Sequence, residues 1–370
     1  MVEKGMTGVH SSNRNYGVDL LRLVAMFMVL CLHVYGHGGI LEKLPQFSAK
    51  YDAVWLIECL CICCLNCYML ISGYVGVRGK YRYGNLVLLW LRVFFYSVLI
   101  TLVIKILWPS AVTTGDWIQA VFPVMFNRYW FFTAYFAVFL LMPLLNTACR
   151  VLIKKQLGAV ILILLLFFSV LPTLLHQDPF YTNFGSSALW FTLAYLVGAY
   201  IRLYGLLPGL SRWKLFILYL TCCAVIWLFK LGLELFTLRF LGAARVGNHL
   251  MVHVSPFVLS AAVSLLLLFE RIPFSEKWKK RISLLTPLAF SVYLIHEHPL
   301  FRAHVISRFS FLGELSLPGM MIGHLLSVIL LYLLCLVVDA LREALFRRMK
   351  LGKMLRTLEE RMFGTLWDSI

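Results

Sequence analysis

VDLLRLVAMFMVLCLHVYGHG, residues 18–38, is the stretch that decides the fold. A helix needs about 20 mostly apolar residues to cross the hydrocarbon core of a bilayer, and this run supplies them. It also carries Asp19, Arg22 and His33 among Leu, Val, Met and Phe. A helix apolar on nearly every side is either buried in the core of a large protein or spans a membrane. The stretch reads as a membrane span with charge placed inside it.

The rest of the chain agrees. Of 370 residues, 61% are apolar and 14% charged, against about 45–50% and a quarter in a soluble domain. That excludes a water-soluble globule and a disordered chain. Ten apolar runs follow one another, at 18–38, 53–74, 84–108, 129–146, 157–176, 188–205, 213–236, 251–269, 284–306 and 319–338. The run at 116–126 is too short to cross and reads as interfacial. The expectation is an all-α, polytopic helical bundle of about ten transmembrane helices. A short N-terminal segment (1–17) precedes the membrane domain (18–338), and a basic amphipathic tail (339–370) follows it. The polar start and the long first run read as a first span, not as a cleaved signal peptide.

Where the cations sit explains the net charge of +17. One set of loops holds Lys4 and Arg14; Arg78, Lys80 and Arg82; Arg150, Lys154 and Lys155; Arg202, Arg212 and Lys214; Arg271, Lys277, Lys279, Lys280 and Arg281; and the tail cations from Arg342 to Arg361. The opposite loops hold only Lys43, Lys50, Arg128, Arg239, Arg245 and Arg308. Short loops rich in Lys and Arg stay in the cytoplasm, so both termini are expected there. The basic residues are topology anchors facing anionic lipid; a nucleic-acid partner is not expected. The tail, with Leu341, Leu345, Met349 and Leu355 among its cations, reads either as a helix lying on the inner leaflet or as a solvated terminus.

Ionisable groups within a membrane are functional candidates by default. Asp19 and Arg22 are neighbours on one helix face. Arg22 and His33 are eleven residues apart, about three full turns, so both point the same way with a rise of about 16 Å between them. A guanidinium suits phosphate or carboxylate, and an imidazole suits proton transfer or nucleophilic attack. The bland alternative is a snorkelling Arg and a His bonded to a neighbouring helix. Glu58 lies at a depth similar to His33 and could orient it; alternatively it lines a wet vestibule. The cysteines Cys59, Cys61, Cys63, Cys64 and Cys67 point around the helix rather than to one side, so they read as packing residues and no metal is expected. Ser72 and Gly73 would allow a tight bend or the close approach of a ligand. Tyr293, His296, Glu297 and His298, followed by Pro299, form a polar cluster that must face a cavity or other helices. Trp130 and Trp190 mark the outer rim. With the scattered histidines His37, His176, His249, His253, His304 and His324 they either form an ordinary interfacial belt or shape a sugar-binding mouth.

Four motifs in order then carry a resemblance. The first span resembles a signature of a basic residue, ten residues, then His, here Arg22 to His33. YMLISGYV (68–75) is similar to a phenylalanine-rich LSG element, YWFFTAYFAVFLLMPLLN (129–146) to a Trp-bearing span ending in Pro-Leu-Leu, and FSVYLIH (290–296) to a late YLIH element. Together they resemble the membrane-bound acyltransferase-3 family, in detail its small stand-alone members associated with capsule or exopolysaccharide synthesis. The resemblance implies a multi-pass cell-membrane O-acyltransferase, with His33 as catalytic residue and Arg22 as its basic companion. The donor would be acetyl-CoA and the acceptor a sugar or glycan hydroxyl. The family's arginine pair after the LSG element is here reduced to Arg92, so donor phosphates would be held by Arg78, Arg82, Arg92 and Lys80, near Ser72. Trp130, Tyr293 and His296 would line the substrate pocket, with Glu58 orienting His33. His33 would act as general base or as nucleophile. The rival is a proton-coupled transporter or a flippase for a small polar molecule or a lipid-linked sugar.

Overall fold

The structure, a computed structural model, describes residues 14–244 and 247–363. Lys4, Arg245 and most of segment 1–17 lie outside the described residues, as does the end of the tail. Every regular element among the described residues is helical. The helices are α1 (Tyr16–Gly36), α2 (Ala49–Cys61), α3 (Cys64–Gly76), α4 (Tyr83–Leu107), α5 (Thr114–Val121), α6 (Trp130–Val151), α7 (Lys154–Leu165) and α8 (Leu171–Leu175). There follow α9 (Ala188–Tyr204), α10 (Arg212–Leu241), α11 (Pro256–Glu270), α12 (Glu276–Leu285), α13 (Ala289–His296), α14 (Pro299–His304), α15 (Leu317–Arg348) and α16 (Leu351–Phe363).

Among the described residues seven helices are long and apolar enough to cross a membrane: α1, the joined α2–α3, α4, α6, the joined α7–α8, α10 and α15. The remaining three apolar runs are shorter or broken, each for a visible reason. α9 and α11 are short, and most of their side chains are buried among other helices. The run at 284–306 is interrupted twice, by a 3-10 turn at Thr286–Leu288 containing Pro287 and by Pro299, which starts α14. Proline lacks the N–H that a continuing helix needs. α15 runs from Leu317 to Arg348, and the chain turns at Lys350, where φ is +55°.

Side-chain caps set many of the helix starts. Asn15 accepts from the N–H groups of Gly17 and Val18, Ser187 from Trp190, Ser211 from Lys214 and Ser316 from Gly319, satisfying donors a helix leaves open.

Ser72 and Gly73 do not make a turn. α3 continues to Gly76, and the Ser72 hydroxyl donates to the Tyr68 carbonyl one turn back at 2.9 Å. Gly73 instead lets a backbone in: a Cβ there would lie 1.9 Å from the Tyr195 carbonyl oxygen, and one on Gly198 would lie 2.0 Å from that of Leu70. Small residues that let backbones touch are the usual adhesive of helices in lipid. Buried amides add to this crossing. Asn66 donates to the His253 carbonyl at 2.8 Å and accepts from Trp190 Nε1 at 2.9 Å, while Asn146 accepts from the Tyr195 hydroxyl at 2.7 Å.

One end of the bundle gathers cations around a cavity. Arg14, Arg22, Arg78 and Arg202 line one cavity, and Glu359 of α16 accepts from the N–H groups of Tyr83 and Gly84 at the start of α4. The described start of the chain and α16 therefore share the basic end. Within the bundle, on α10, Lys230 and Glu234 form an ion pair at 2.7 Å with 0% exposure of either side chain. Tyr51 donates to Glu234 at 2.6 Å, and the ammonium stands over the rings of Tyr51 and Trp55.

Candidate active site

His33 sits on the last turn of α1, and the corner between α13 and α14 is packed against it. Its Nδ1 lies 2.9 Å from His296 Nε2 and 3.0 Å from Glu297 Oε2. The network assigns the protons. His296 Nδ1 is 2.5 Å from the Val292 carbonyl, and a carbonyl only accepts, so that nitrogen carries hydrogen. Neutral His296 then offers its Nε2 lone pair, His33 donates from Nδ1, and the free lone pair on His33 is at Nε2. Glu297 is itself held. Arg302 donates to its Oε1 at 2.9 Å, and His37 Nε2 lies 3.4 Å from its Oε2. The carboxylate side chain is only 5% exposed. A cation formed on His33 would meet a fixed negative charge in a medium where such charges are little screened.

A cavity of about 220 Å³ adjoins this cluster, walled by His33, Glu58, Tyr68, Trp130, His253 and Tyr293 and by apolar residues including Met26, Val29 and Leu65. Met26, Val29 and His33 lie four, seven and eleven residues beyond Arg22, so one face of α1 forms the wall, as its spacing predicts. Three polar atoms around the cavity are buried without a hydrogen-bond partner: Glu58 Oε1, the Tyr293 hydroxyl and His253 Nδ1. Orphaned polar atoms are costly and rare in folded proteins. Three of them line this one chamber, where a polar ligand or water would satisfy them.

Arg22 stands at the other end of the same face. Its Nη1 is 3.5 Å from Asp19 Oδ1, and Arg14 reaches the other carboxylate oxygen at 2.5 Å. Arg22 lines two neighbouring cavities. One, of about 390 Å³, includes Arg78 and Arg202, and the other, of about 230 Å³, includes Ser72, Lys80 and Arg82. Arg22, Ser72, Arg78 and Arg82 are thus brought together. Arg92 is not brought to them: it donates to the Pro287 carbonyl at 3.0 Å and faces a separate cavity toward α15 and α16. Between the His33 chamber and the Arg22 cavities stand three aromatic residues. Tyr68 donates to the Arg22 carbonyl at 2.9 Å, its ring centroid is 6.0 Å from that of Phe131, and Phe131 stacks on Tyr135 at 6.2 Å.

The expected substrate residues divide. Trp130 and Tyr293 line the His33 chamber, whereas His296 bonds His33 directly. Glu58 lines the chamber as well, but the carboxylate in contact with His33 is Glu297. Sequence reasoning saw Glu297 only as one of a polar cluster and passed over Arg302. The available signal was Pro299, which ends α13 at His296 and turns two consecutive polar side chains toward one target. His253 was only one of several scattered histidines; Asn66, gripping its carbonyl, gives it its place. The ten cysteines are all free and buried. His33, His37 and Glu297 present three ligand atoms within 4.8 Å of one another, with the Arg302 guanidinium beside them.

An apolar helical bundle with an imidazole held by a second histidine and a carboxylate, beside a small chamber, is the architecture of a multi-pass membrane protein. The chain belongs to the acyltransferase-3 family: the model of its acyltransferase domain matches residues 15–338. It is accordingly a membrane acyltransferase. No curated protein matches the chain, and no solved structure does.

Proposed function

We propose that the protein transfers an acetyl group from acetyl-CoA to a hydroxyl of a cell-surface or capsular polysaccharide, or of its lipid-linked precursor. In this reading it sits in the cell membrane with about ten crossings and both termini in the cytoplasm. The single observation that carries it is the His33–His296–Glu297 contact, which leaves His33 Nε2 unprotonated beside a chamber with unsatisfied polar atoms. His33 Nε2 takes the proton of the acceptor hydroxyl, and the oxygen attacks the thioester carbonyl. The C–O bond forms and the C–S bond breaks. The imidazolium, steadied by Glu297, returns the proton to the departing thiolate, giving the ester and free coenzyme A. The Tyr293 hydroxyl, which has no partner, is the donor for the developing oxyanion. Glu58 accepts from the acceptor sugar. A chamber of about 220 Å³ suits a short acyl group and one reacting hydroxyl, not a long chain. Arg22, Arg78, Arg82 and Lys80 hold the donor's phosphates. The glycan acceptor rests on the likeness of the four motifs to small stand-alone family members.

The test is thiol release from labelled acetyl-CoA by purified protein with candidate glycan acceptors. Wild type should free coenzyme A and label the acceptor. His33→Ala should lose at least about 10²-fold, the scale of general-base catalysis, with expression and folding retained. No thiol release under any acceptor, together with uptake of a polar solute, would move the protein to the transporter class.

A further inference from the structure

A further cavity takes no part in this chemistry. It measures about 630 Å³ and lies where α4, the end of α15 and α16 meet. Its cationic wall comprises Arg92, Arg342, Arg347, Lys350, Lys353 and Arg356. Glu343 is the lone acidic residue in the lining. Arg342 is buried and already paired with Asp339 at 2.8 Å and with Glu343 at 2.9 Å. Arg347, Lys350, Lys353 and Arg356 are exposed cations. So much like charge in one recess is repulsive unless an anion shares it.

The same recess continues into an apolar surface. Ile329, Leu333, Val337, Ala340 and Ala344 are all exposed and recur every three or four residues along α15 on the side that leads to Arg347. The Glu359 carboxylate pins α16 to the start of α4, at 2.7 Å from Tyr83 N and 3.2 Å from Gly84 N, so the floor of the recess is fixed. Acyl-chain surface that ends in a ring of cations is the chemistry of one phospholipid held by its phosphate.

We propose that this recess is a binding site for an anionic phospholipid, the phosphate lying among Arg347, Lys350, Lys353 and Arg356 and the acyl chains along α15. The site stands apart from the His33 chamber, and α16 forms one of its walls.

The experiment uses the full chain in nanodiscs of equal parts phosphatidylglycerol and phosphatidylcholine, followed by gentle extraction and mass spectrometry of the lipids retained. Wild type should keep phosphatidylglycerol over phosphatidylcholine by at least tenfold. The variant Arg347→Gln/Lys350→Gln/Lys353→Gln/Arg356→Gln should retain the two lipids alike. A variant with the same loss of charge on α12, Lys277→Gln/Lys279→Gln/Lys280→Gln/Arg281→Gln, should keep the wild-type preference. Equal retention by wild type would overturn the proposal, as would loss of preference in both variants, which would mean diffuse attraction. Displacement of the retained lipid by adenosine 3′,5′-diphosphate would also overturn it, assigning the cations to a soluble phosphate compound. Thermal unfolding of both variants shows whether either has failed to fold; if the recess variant has, Lys350→Gln/Lys353→Gln replaces it, and an undiminished lipid preference in that folded pair would overturn the proposal.

Discussion

His33 Nδ1 and His296 Nε2 stand 2.9 Å apart. Because His296 commits its other nitrogen to the Val292 carbonyl, the lone pair left free by the two rings belongs to His33. Glu297, 3.0 Å from the same His33 nitrogen, then acts on the imidazole and not on substrate. Glu297→Gln should therefore lower kcat by about 10²-fold, within the range over which an oriented base contributes, and leave KM for both substrates nearly unchanged. Steady-state thiol release measures both. An undiminished kcat would remove Glu297 from any part in orienting His33.

Arg22 and Arg92 make a second comparison. Arg22 lies where two basic cavities meet, whereas Arg92 is spent on the Pro287 carbonyl. Arg22→Gln should raise KM for acetyl-CoA by about tenfold or more, the value of one charge-assisted contact. Arg92→Gln should produce a much smaller change. The reverse order would transfer the donor phosphates to the cavity beneath α16.

The Lys230–Glu234 pair, with neither side chain exposed, makes a prediction about stability. Glu234→Ala strands a buried ammonium and should cost about 3–5 kcal/mol. Lys230→Met/Glu234→Leu removes both charges and should recover most of that loss. Unfolding midpoints in one detergent decide it; equal losses in the single and paired variants would show that the pair is not coupled.

Gly73→Ala should be destabilising by about 1–3 kcal/mol or more, as overpacking of a closed contact is, because its methyl would enter the Tyr195 carbonyl. Gly232→Ala, where nothing lies within 4 Å, is the control. It should be neutral or slightly stabilising, alanine being the better helix former. Thermal scans of the two variants side by side give the contrast.

Much of this was legible in the sequence because helix geometry is local. Arg22, Met26, Val29 and His33 share a face by spacing alone, and that face lines the cavities. The polar run from Tyr293 to His298 announced itself by its cost in lipid. What escaped depends on the angle between segments. Glu58 has the right depth to orient His33, but the bend at Pro299 delivers Glu297 instead. Arg92 occupies a suggestive position in the chain, yet α4 faces it toward α15. Ser72 and Gly73 suggested a bend, and only the position of α9 shows that the glycine admits a neighbouring backbone.

The three rings of Tyr68, Phe131 and Tyr135 separate the chamber from the cavities at the basic end. A protein with polar recesses at two depths risks becoming a wire for protons or ions. Without donor those rings interrupt the path; the thiol arm of acetyl-CoA, reaching from the Arg22 cavities to His33, has to part them and fill the gap it opens, so the electrochemical gradient on which the host membrane runs is not short-circuited.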